Sequence, residues 1–184
     1  MLRVAPRPLT VRDYRELPEG PPFYQLIEGD IYLAPSRDRF HQDVLGNLYV
    51  IIRGHLERFP SGSVHLAPSD VQLTDLNVYQ PDLYYVTSAR KAILTRQGAR
   101  GAPDLVVEIL SPKTAKLDTG VKREVYARSG VEEMWIVDPA ARKLSVYRFS
   151  EAIDAPVATY RIKQKFASPL FPGLKIDLSR VFEP

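Results

Sequence analysis

The sequence predicts an α/β (α+β) fold with a central mixed sheet, preceded by an N-terminal helix and a β-hairpin. The first observation is the order of elements along the chain, which is helix, three strands, helix and strand. The second is the stretch from Arg39 to Phe59, where apolar residues recur every three or four positions, as in an amphipathic helix. The third is the run from Leu105 to Leu110, which is almost continuously apolar and is typical of a strand buried on both faces.

Short elements precede the long helix. Thr10 can cap a helix from Val11 to about Leu17, because a threonine hydroxyl accepts hydrogen bonds from the first turn. Alternating apolar and polar residues at 23–28 and 31–34 predict a hairpin that turns at Gly29-Asp30.

The remaining elements come after the long helix in order. We expect strands at 64–67, 71–73 and 82–86, a polar and basic loop at 87–101, the buried strand at 105–110, a helix at 116–128, and strands at 134–137, 143–149, 158–162 and 174–178. The chain contains no internal repeat. We therefore expect one domain over 1–184, with an appendage at 1–36, a core at 37–149 and C-terminal edge strands at 150–184.

Composition excludes several classes of protein. With no cysteine among 184 residues, disulfide frameworks, iron–sulfur clusters and thiolate zinc sites are impossible. No apolar run is long enough to span a membrane, and we expect a cytoplasmic protein. The net charge of +3 comes from dispersed residues and by itself indicates little about nucleic acid.

Glu108 is the one acid inside the apolar run, and it needs an explanation. A buried carboxylate is costly unless it is paired with a cation, binds a metal or sits at an exposed strand end. Asp82 opens another predicted strand. If the two strands are neighbours, about 4.8 Å separates their backbones. Both carboxylates could then bind one Mg²⁺ or Mn²⁺, with the Ile109 carbonyl as a third oxygen ligand.

Asp104 is a competing acid in the same segment. It has the same strand parity as Glu108, but four residues of strand separate the two by roughly 13 Å. We therefore predict that Asp104 serves the start of the strand or a turn.

A cation near the metal would help to neutralise charge on a reacting phosphate. Its usual place, two residues after Glu108, holds Leu110. The next helix offers Asp118, Lys122 and Tyr126 at four-residue steps, so one face carries all three. This face either points at the strand end or is a solvated stripe with an ordinary ion pair.

Three further residues are candidates with open alternatives. Lys113 could replace Lys122 as the cation, although it lies in a loop. The Ser111 hydroxyl would be close to the metal, or Ser111 only ends the strand. His41, at the start of the long helix, could contact phosphate or orient an acid, or it could be structural.

These motifs together resemble a known family. The segment Gly101–Pro112, the trio in the following helix, Gly130-Val131 and Trp135–Pro139 are similar to the Uma-type restriction endonuclease family of the PD-(D/E)XK nuclease superfamily. Further upstream, the resemblance includes Tyr24–Gly29, Ser36 with His41, and Pro81-Asp82.

The resemblance implies a restriction-endonuclease-like core, αβββαβ. It implies Asp82 and Glu108 as metal ligands, Lys122 as a catalytic lysine moved from strand to helix, and Glu28 as an accessory acid. The function it implies is a Mg²⁺-dependent (or Mn²⁺-dependent) DNA endonuclease that acts as a homodimer, since cutting both strands requires two sites. The alternatives are a catalytically inactive nucleic-acid-binding or assembly module on the same fold, and a structural protein whose Glu108 is neutralised by Lys122 alone.

The basic loop is the expected contact with nucleic acid. Its four cations could bind backbone phosphates beside the carboxylates: Arg90, Lys91, Arg96 and Arg100.

Overall fold

The computed structural model describes residues 7–34 and 37–184. Its helices are α1 (Val11–Tyr14), α2 (Arg39–Arg58), α3 (Ala115–Thr119), α4 (Val121–Ser129) and α5 (Leu178–Val181). Its strands are β1 (Tyr24–Ile27), β2 (Asp30–Leu33), β3 (Gly62–Leu66), β4 (Asp70–Thr74), β5 (Asn77–Tyr79), β6 (Leu83–Thr87), β7 (Gly98–Arg100), β8 (Leu105–Ile109), β9 (Glu133–Asp138), β10 (Lys143–Arg148), β11 (Ala158–Arg161), β12 (Lys165–Phe166) and β13 (Ile176–Asp177).

Two mixed sheets carry the fold. The larger sheet has the strand order β11-β10-β9-β8-β6-β3, and the smaller has the order β2-β1-β5-β4-β7. In the larger sheet β3, β6 and β8 are antiparallel neighbours, and β8 pairs in parallel with β9 after the α3–α4 crossover. The series α2, β3, β6, β8, α4, β9 confirms the predicted αβββαβ core. The division into one domain with an appendage stays a prediction.

Helix α2 forms where its apolar period predicted. The Asp38 side chain caps it by accepting a hydrogen bond of 2.8 Å from the His41 backbone N–H. Val44, Leu48 and Ile52 lie on one face and are fully buried. This face packs on the larger sheet against alternate residues of β6, β8 and β9, and the core that forms there includes α5.

The other face of the larger sheet packs against the smaller sheet and α4. The residues on this face have even numbers in β6 and β8, including Tyr84 and Val106. Because side chains alternate along a strand, Glu108 lies on this inner face. Helix α1 covers the outer face of the smaller sheet through Val11 and Val78.

Several predicted elements differ from the structure. The hairpin turns at Glu28-Gly29, one residue earlier than predicted, because Ile27 pairs with Asp30 and both turn residues have positive φ. The predicted basic loop contains a 3₁₀ helix (Ser88–Ile93) and the edge strand β7. The predicted strand at 174–178 is divided between β13 and α5, and β5 and β12 have no counterpart in the prediction.

The predicted helix at 116–128 is two helices that meet at Gly120. This residue has φ −107° and ψ −110°, which is outside the helical region. A Cβ at this position would approach the Lys116 carbonyl oxygen to 2.7 Å, so glycine permits the close turn. Helix α4 ends at Gly130, whose φ of 94° is left-handed.

No helix in the described ranges 7–34 and 37–184 has the length and apolar character needed to cross a membrane.

Candidate active site

Asp82 and Glu108 meet at one end of the β6–β8 pair. The antiparallel register pairs Leu83 with Val107, so continuing it by one position sets Asp82 opposite Glu108. The backbone N–H of Ile109 donates a hydrogen bond of 2.7 Å to Asp82 Oδ2. Both side chains are 1% exposed. Two carboxylates on neighbouring strands therefore face the space between the sheets, as the two strand motifs predicted.

Within the ranges 7–34 and 37–184, Glu108 is held through one of its two oxygens. Its Oε1 accepts hydrogen bonds from Lys122 Nζ at 2.9 Å and from the Tyr126 hydroxyl at 2.8 Å. Its Oε2 is buried and has no hydrogen-bond partner among the described residues. A buried carboxylate oxygen without a donor is unfavourable, so this atom is available to a cation or a proton.

Lys122 bridges two acids. Its Nζ also donates to Asp118 Oδ1 at 3.0 Å, and it lies over the Tyr79 ring at 5.7 Å from the centroid. Burial by itself would lower the pKa of Lys122, but Glu108 and Asp118 together raise it above its ordinary value. The lysine is therefore an ammonium ion at neutral pH. Although Gly120 interrupts the helix, Asp118, Lys122 and Tyr126 do point together at the strand end.

Asp82 has two basic neighbours from the start of α2. Arg37 Nη2 lies 2.9 Å from Asp82 Oδ1, and His41 Nε2 lies 3.3 Å from Asp82 Oδ2. Burial by itself would raise the pKa of Asp82, but the contact with His41 and the charge of Arg37 hold it below its ordinary value. Asp82 is therefore ionised. The position of His41 is compatible with orienting an acid, one of the alternatives left open for it, and its role stays a prediction.

The acids at this site outnumber the lysine. Burial raises the pKa of Glu108 to about 7, because the negative charges of Asp118 and Asp82 add to the effect and Lys122 opposes it only in part. A cation placed next to the unpartnered oxygen would relieve this repulsion.

The residues at this site fit a hard divalent cation. The available donors are carboxylate and carbonyl oxygens, which Mg²⁺ and Mn²⁺ prefer. The candidate ligands are Asp82, Glu108 through its unpartnered Oε2, and the Ile109 backbone carbonyl. No group of three acid or histidine side chains able to hold an ion occurs at 7–34 and 37–184, so water or substrate oxygens would complete the coordination.

The Glu28 carboxylate has partners other than this pair among the described residues. Glu28 occupies the hairpin turn, where its carboxylate accepts hydrogen bonds from Asn77 Nδ2 at 2.8 Å and from Arg128. These contacts suit a turn residue that ties the hairpin to β5 and α4. Its accessory role stays a prediction.

The loop after β8 carries two of the remaining candidates. Ser111 Oγ contacts Thr114 Oγ1 at 3.0 Å, and its carbonyl accepts hydrogen bonds from the first turn leading into α3. Lys113 is exposed. The metal-site roles of both residues stay predictions. Ser36 lies outside the described residues.

The basic segment was predicted to lie beside the carboxylates, but it lies at the other end of β6. The 3₁₀ helix with Arg90 and Lys91 follows the end of β6 opposite to Asp82. Arg90 donates there to the Ala102 carbonyl and to Asp104. Asp104 also accepts from the Thr87 N–H at 2.7 Å, which agrees with its predicted role at the strand start.

Arg96 and Arg100 are exposed, and Arg100 is the last residue of the edge strand β7. Whether any of the four basic residues binds nucleic acid stays a prediction. The sequence could not show their position, because it depends on how β6 and β8 pair.

Sequence reasoning missed Arg37 and the hydrogen bond from Tyr126 to Glu108. Arg37 lies in a polar stretch before a helix, where an arginine usually faces solvent. Its spacing of four residues from His41 is no signal either, because Arg37 lies before the cap residue Asp38 and outside the helix. The sequence indicated that Tyr126 shares a helix face with Lys122, but it did not indicate that the Tyr126 hydroxyl donates to Glu108.

A family model of known proteins covers most of this chain. The model "Uma2: Putative restriction endonuclease" matches residues 11–179. The chain belongs to the Uma2 family. This confirms the resemblance that the sequence motifs indicated.

The fold of this Uma2 protein matches a solved structure. That structure is described as a "putative nuclease belonging to DUF820" from Anabaena variabilis, with a TM-score of 0.78 and 21% sequence identity over 95% of this chain and 98% of that chain. At this identity the likeness shows the fold. No curated protein matches the chain.

Proposed function

We propose that this Uma2 protein is a metal-dependent DNA endonuclease. The observation that carries the proposal is Glu108 Oε2, which is buried, has no hydrogen-bond partner in the described part of the chain, and belongs to a carboxylate opposite Asp82 and paired with a charged lysine. Two carboxylates and an ammonium ion at one strand end are the groups that phosphodiester hydrolysis needs. Family membership supports the same reaction class.

Asp82, Glu108 and the Ile109 carbonyl would hold Mg²⁺ or Mn²⁺. When bound, such an ion polarises a phosphoryl oxygen and lowers the pKa of water. Because Lys122 carries a proton at neutral pH, its role is to stabilise negative charge that develops on the phosphate, and it cannot act as a general base.

Other side chains keep these groups in place. Tyr126 and Lys122 both donate to Glu108 Oε1, which leaves Oε2 directed away from them. Asp118 holds Lys122 from the other side. His41 and the Ile109 N–H orient Asp82. The attacking water would leave a 5′-phosphate and a 3′-hydroxyl, a polarity taken from the resemblance. Cleavage of both strands would require a homodimer.

A cleavage panel tests this proposal. Duplex, branched and single-stranded DNA and RNA are incubated with Mg²⁺ or Mn²⁺, and products are resolved by denaturing electrophoresis. We expect metal-dependent cleavage of DNA that is lost in Asp82→Asn and Glu108→Gln. The control is Glu133→Gln, which alters a buried acid paired with Arg148 on neighbouring strands. Cleavage that survives both site variants, or needs no metal, would contradict the assignment.

One observation favours the alternative of an inactive nucleic-acid-binding module. Both carboxylates already have cationic partners, Arg37 and Lys122, and are almost completely buried. An ion-pair cluster of this kind can be purely structural. DNA binding without cleavage, unaffected by Asp82→Asn and by added metal, would support this alternative.

A further inference from the structure

Arg37 presents, at the candidate active site, a charged donor that has no acceptor within the described parts of the chain. Its side chain is 15% exposed, and Nη2 lies 2.9 Å from Asp82 Oδ1. Its other terminal nitrogen, Nη1, is buried and has no hydrogen-bond partner among the described residues. A buried guanidinium nitrogen without an acceptor is unfavourable, so a bound group that supplied an acceptor would relieve this cost.

The charges around this nitrogen indicate what that group is. Three carboxylates face the site from Asp82, Glu108 and Asp118, against the two cations Arg37 and Lys122. The cluster therefore has one excess negative charge when all five groups are ionised and His41, which contacts Asp82, is neutral. A divalent ion would change this to one excess positive charge. The complementary ligand is a monoanion with hydrogen-bond acceptors, as a phosphodiester is.

We infer that Arg37 is a substrate-contacting residue that binds the phosphodiester, an inference that rests on the proposed function. Nη2 holds Asp82, and Nη1 donates to a non-bridging phosphate oxygen. The planar guanidinium can do both at once, because its donors form a rigid fork. The ammonium of a lysine lacks this geometry. Arg37 immediately precedes the cap residue Asp38, so its side chain reaches Asp82 from the start of α2.

A second arginine provides a matched control for Arg37. Arg148 Nε lies 2.8 Å from Glu133 Oε1, and Nη1 of the same side chain contacts Glu151 at 3.2 Å. Arg148 thus pairs with a buried acid as Arg37 does, but Nη1 has an acceptor within the chain. If the role of Arg37 is only to neutralise its acid, the same substitution at both positions should have the same consequences.

The experiment compares Arg37→Met and Arg37→Lys with Arg148→Met and Arg148→Lys. Binding of a fluorescein-labelled duplex DNA is measured by anisotropy at several salt concentrations in Ca²⁺, an ion that also takes oxygen ligands. Mn²⁺ affinity is measured by calorimetry without DNA. Cleavage is measured with Mg²⁺, and folding is checked by thermal unfolding.

We measure the slope of the logarithm of the DNA-binding constant against the logarithm of salt concentration. In Arg37→Met we expect the magnitude of this slope to decrease by the amount that corresponds to about one phosphate contact. Cleavage should fall roughly 10²-fold, as for loss of a donor to the transition state. Mn²⁺ should bind to Arg37→Met at least as tightly as to the wild type, because the substitution removes a competing positive charge. Arg37→Lys should recover part of DNA binding and less of cleavage. The Arg148 variants should match the wild type in DNA binding and cleavage.

Two results would overturn the inference. One is wild-type DNA binding and cleavage in both Arg37 variants. The other is weaker Mn²⁺ binding together with weaker DNA binding in the folded Arg37→Lys protein, which would mean that Arg37 only supports the shape of the site. Failure of the proposed function looks different: wild-type protein that cleaves no nucleic acid, but binds DNA in a way that depends on Arg37, would leave the inference standing.

Discussion

Lys122 Nζ lies 2.9 Å from Glu108 Oε1, although the lysine belongs to α4 and the acid to β8. The contact joins two elements separated by the α3–α4 break, and both side chains are almost completely buried. Because Leu110 occupies the usual strand position for a cation, this contact supplies the positive charge from the helix. It also directs Glu108 Oε1 towards α4 and leaves Oε2 unpartnered among the described residues.

Replacing Lys122 by methionine should abolish cleavage while leaving Mn²⁺ binding in place. The variant keeps most of the length of the side chain but removes the charge that would stabilise a reacting phosphate. It should also lower the free energy of unfolding of the metal-free protein by about 3 kcal/mol, because two buried acids lose their partner. Cleavage rates, calorimetry and urea unfolding measure the three effects.

Two other lysines complete that experiment. Lys116 is exposed on α3, and Lys116→Met is the control for a lysine close to the site without contact to Glu108. Lys113→Ala tests the alternative cation. If Lys122→Met cleaves normally and Lys113→Ala does not, the cationic role belongs to Lys113.

Mn²⁺ should raise the thermal stability of the wild-type protein through Asp82 and Glu108. A ligand that binds only the folded state adds about 2.7 kcal/mol at a concentration 100 times its dissociation constant. Asp82→Asn and Glu108→Gln should lose this stabilisation. Glu133→Gln should retain it, because that acid is satisfied by Trp135, Arg148 and Ser168 outside the site. Equal stabilisation of all three variants would mean that the ion binds elsewhere.

Mn²⁺ affinity should decrease as the pH falls below about 7. Burial raises the pKa of Glu108 to about 7, and a protonated carboxyl group cannot bind the ion. The same shift means that, in the metal-free protein, the folded form takes up a proton at Glu108 more readily than the unfolded form. This contribution to stability is complete below the ordinary pKa of a glutamate and is lost as the pH rises through about 7.

Calorimetry with Mn²⁺ between pH 5.5 and about 8 measures the first effect. Urea unfolding of metal-free wild type and Glu108→Gln measures the second, since the variant cannot titrate at this position. A Mn²⁺ affinity that does not change with pH would contradict the raised pKa.

Replacing Tyr126 by phenylalanine should lower the free energy of unfolding by about 1.5–3 kcal/mol, the usual contribution of a hydrogen bond to a charged group. It should also weaken Mn²⁺ binding, because Glu108 would be held by Lys122 alone. Tyr85→Phe is the matched control, since that hydroxyl bonds to Ser61 away from the site. If the two variants lose stability equally and keep equal Mn²⁺ affinity, the Tyr126 hydroxyl contributes to stability and not to metal binding.

Local patterns in the sequence determined the main elements of this protein. Helix α2 results from apolar residues at three- and four-residue spacing, and β8 from a continuous apolar run, because both signals come from burial of adjacent residues. Glu108 was recognisable for the same reason, as an acid where burial demands apolar residues. The motifs around it were specific enough to indicate the family and the αβββαβ core.

Short elements and turns were less predictable. The strands β5, β7 and β12 have two or three residues and exist because a neighbouring strand pairs with them, which no local pattern records. The break at Gly120 depends on the close approach of the Lys116 carbonyl. The hairpin turn lies one residue earlier than predicted, because the pairing of Ile27 with Asp30 across the strands, and not the Gly-Asp pair, determines the turn positions.

From the sequence by itself, Asp82, Glu108 and Lys122 could be identified as candidates, and the αβββαβ core could be predicted. The tertiary structure alone decided which of them meet. Pairing of β6 with β8 brings Asp82 opposite Glu108 and carries Arg90 to the far end of the same strands, while the start of α2 brings Arg37 to Asp82. The physical reason is that these contacts join residues distant along the chain, so they depend on the pairing and packing of whole elements.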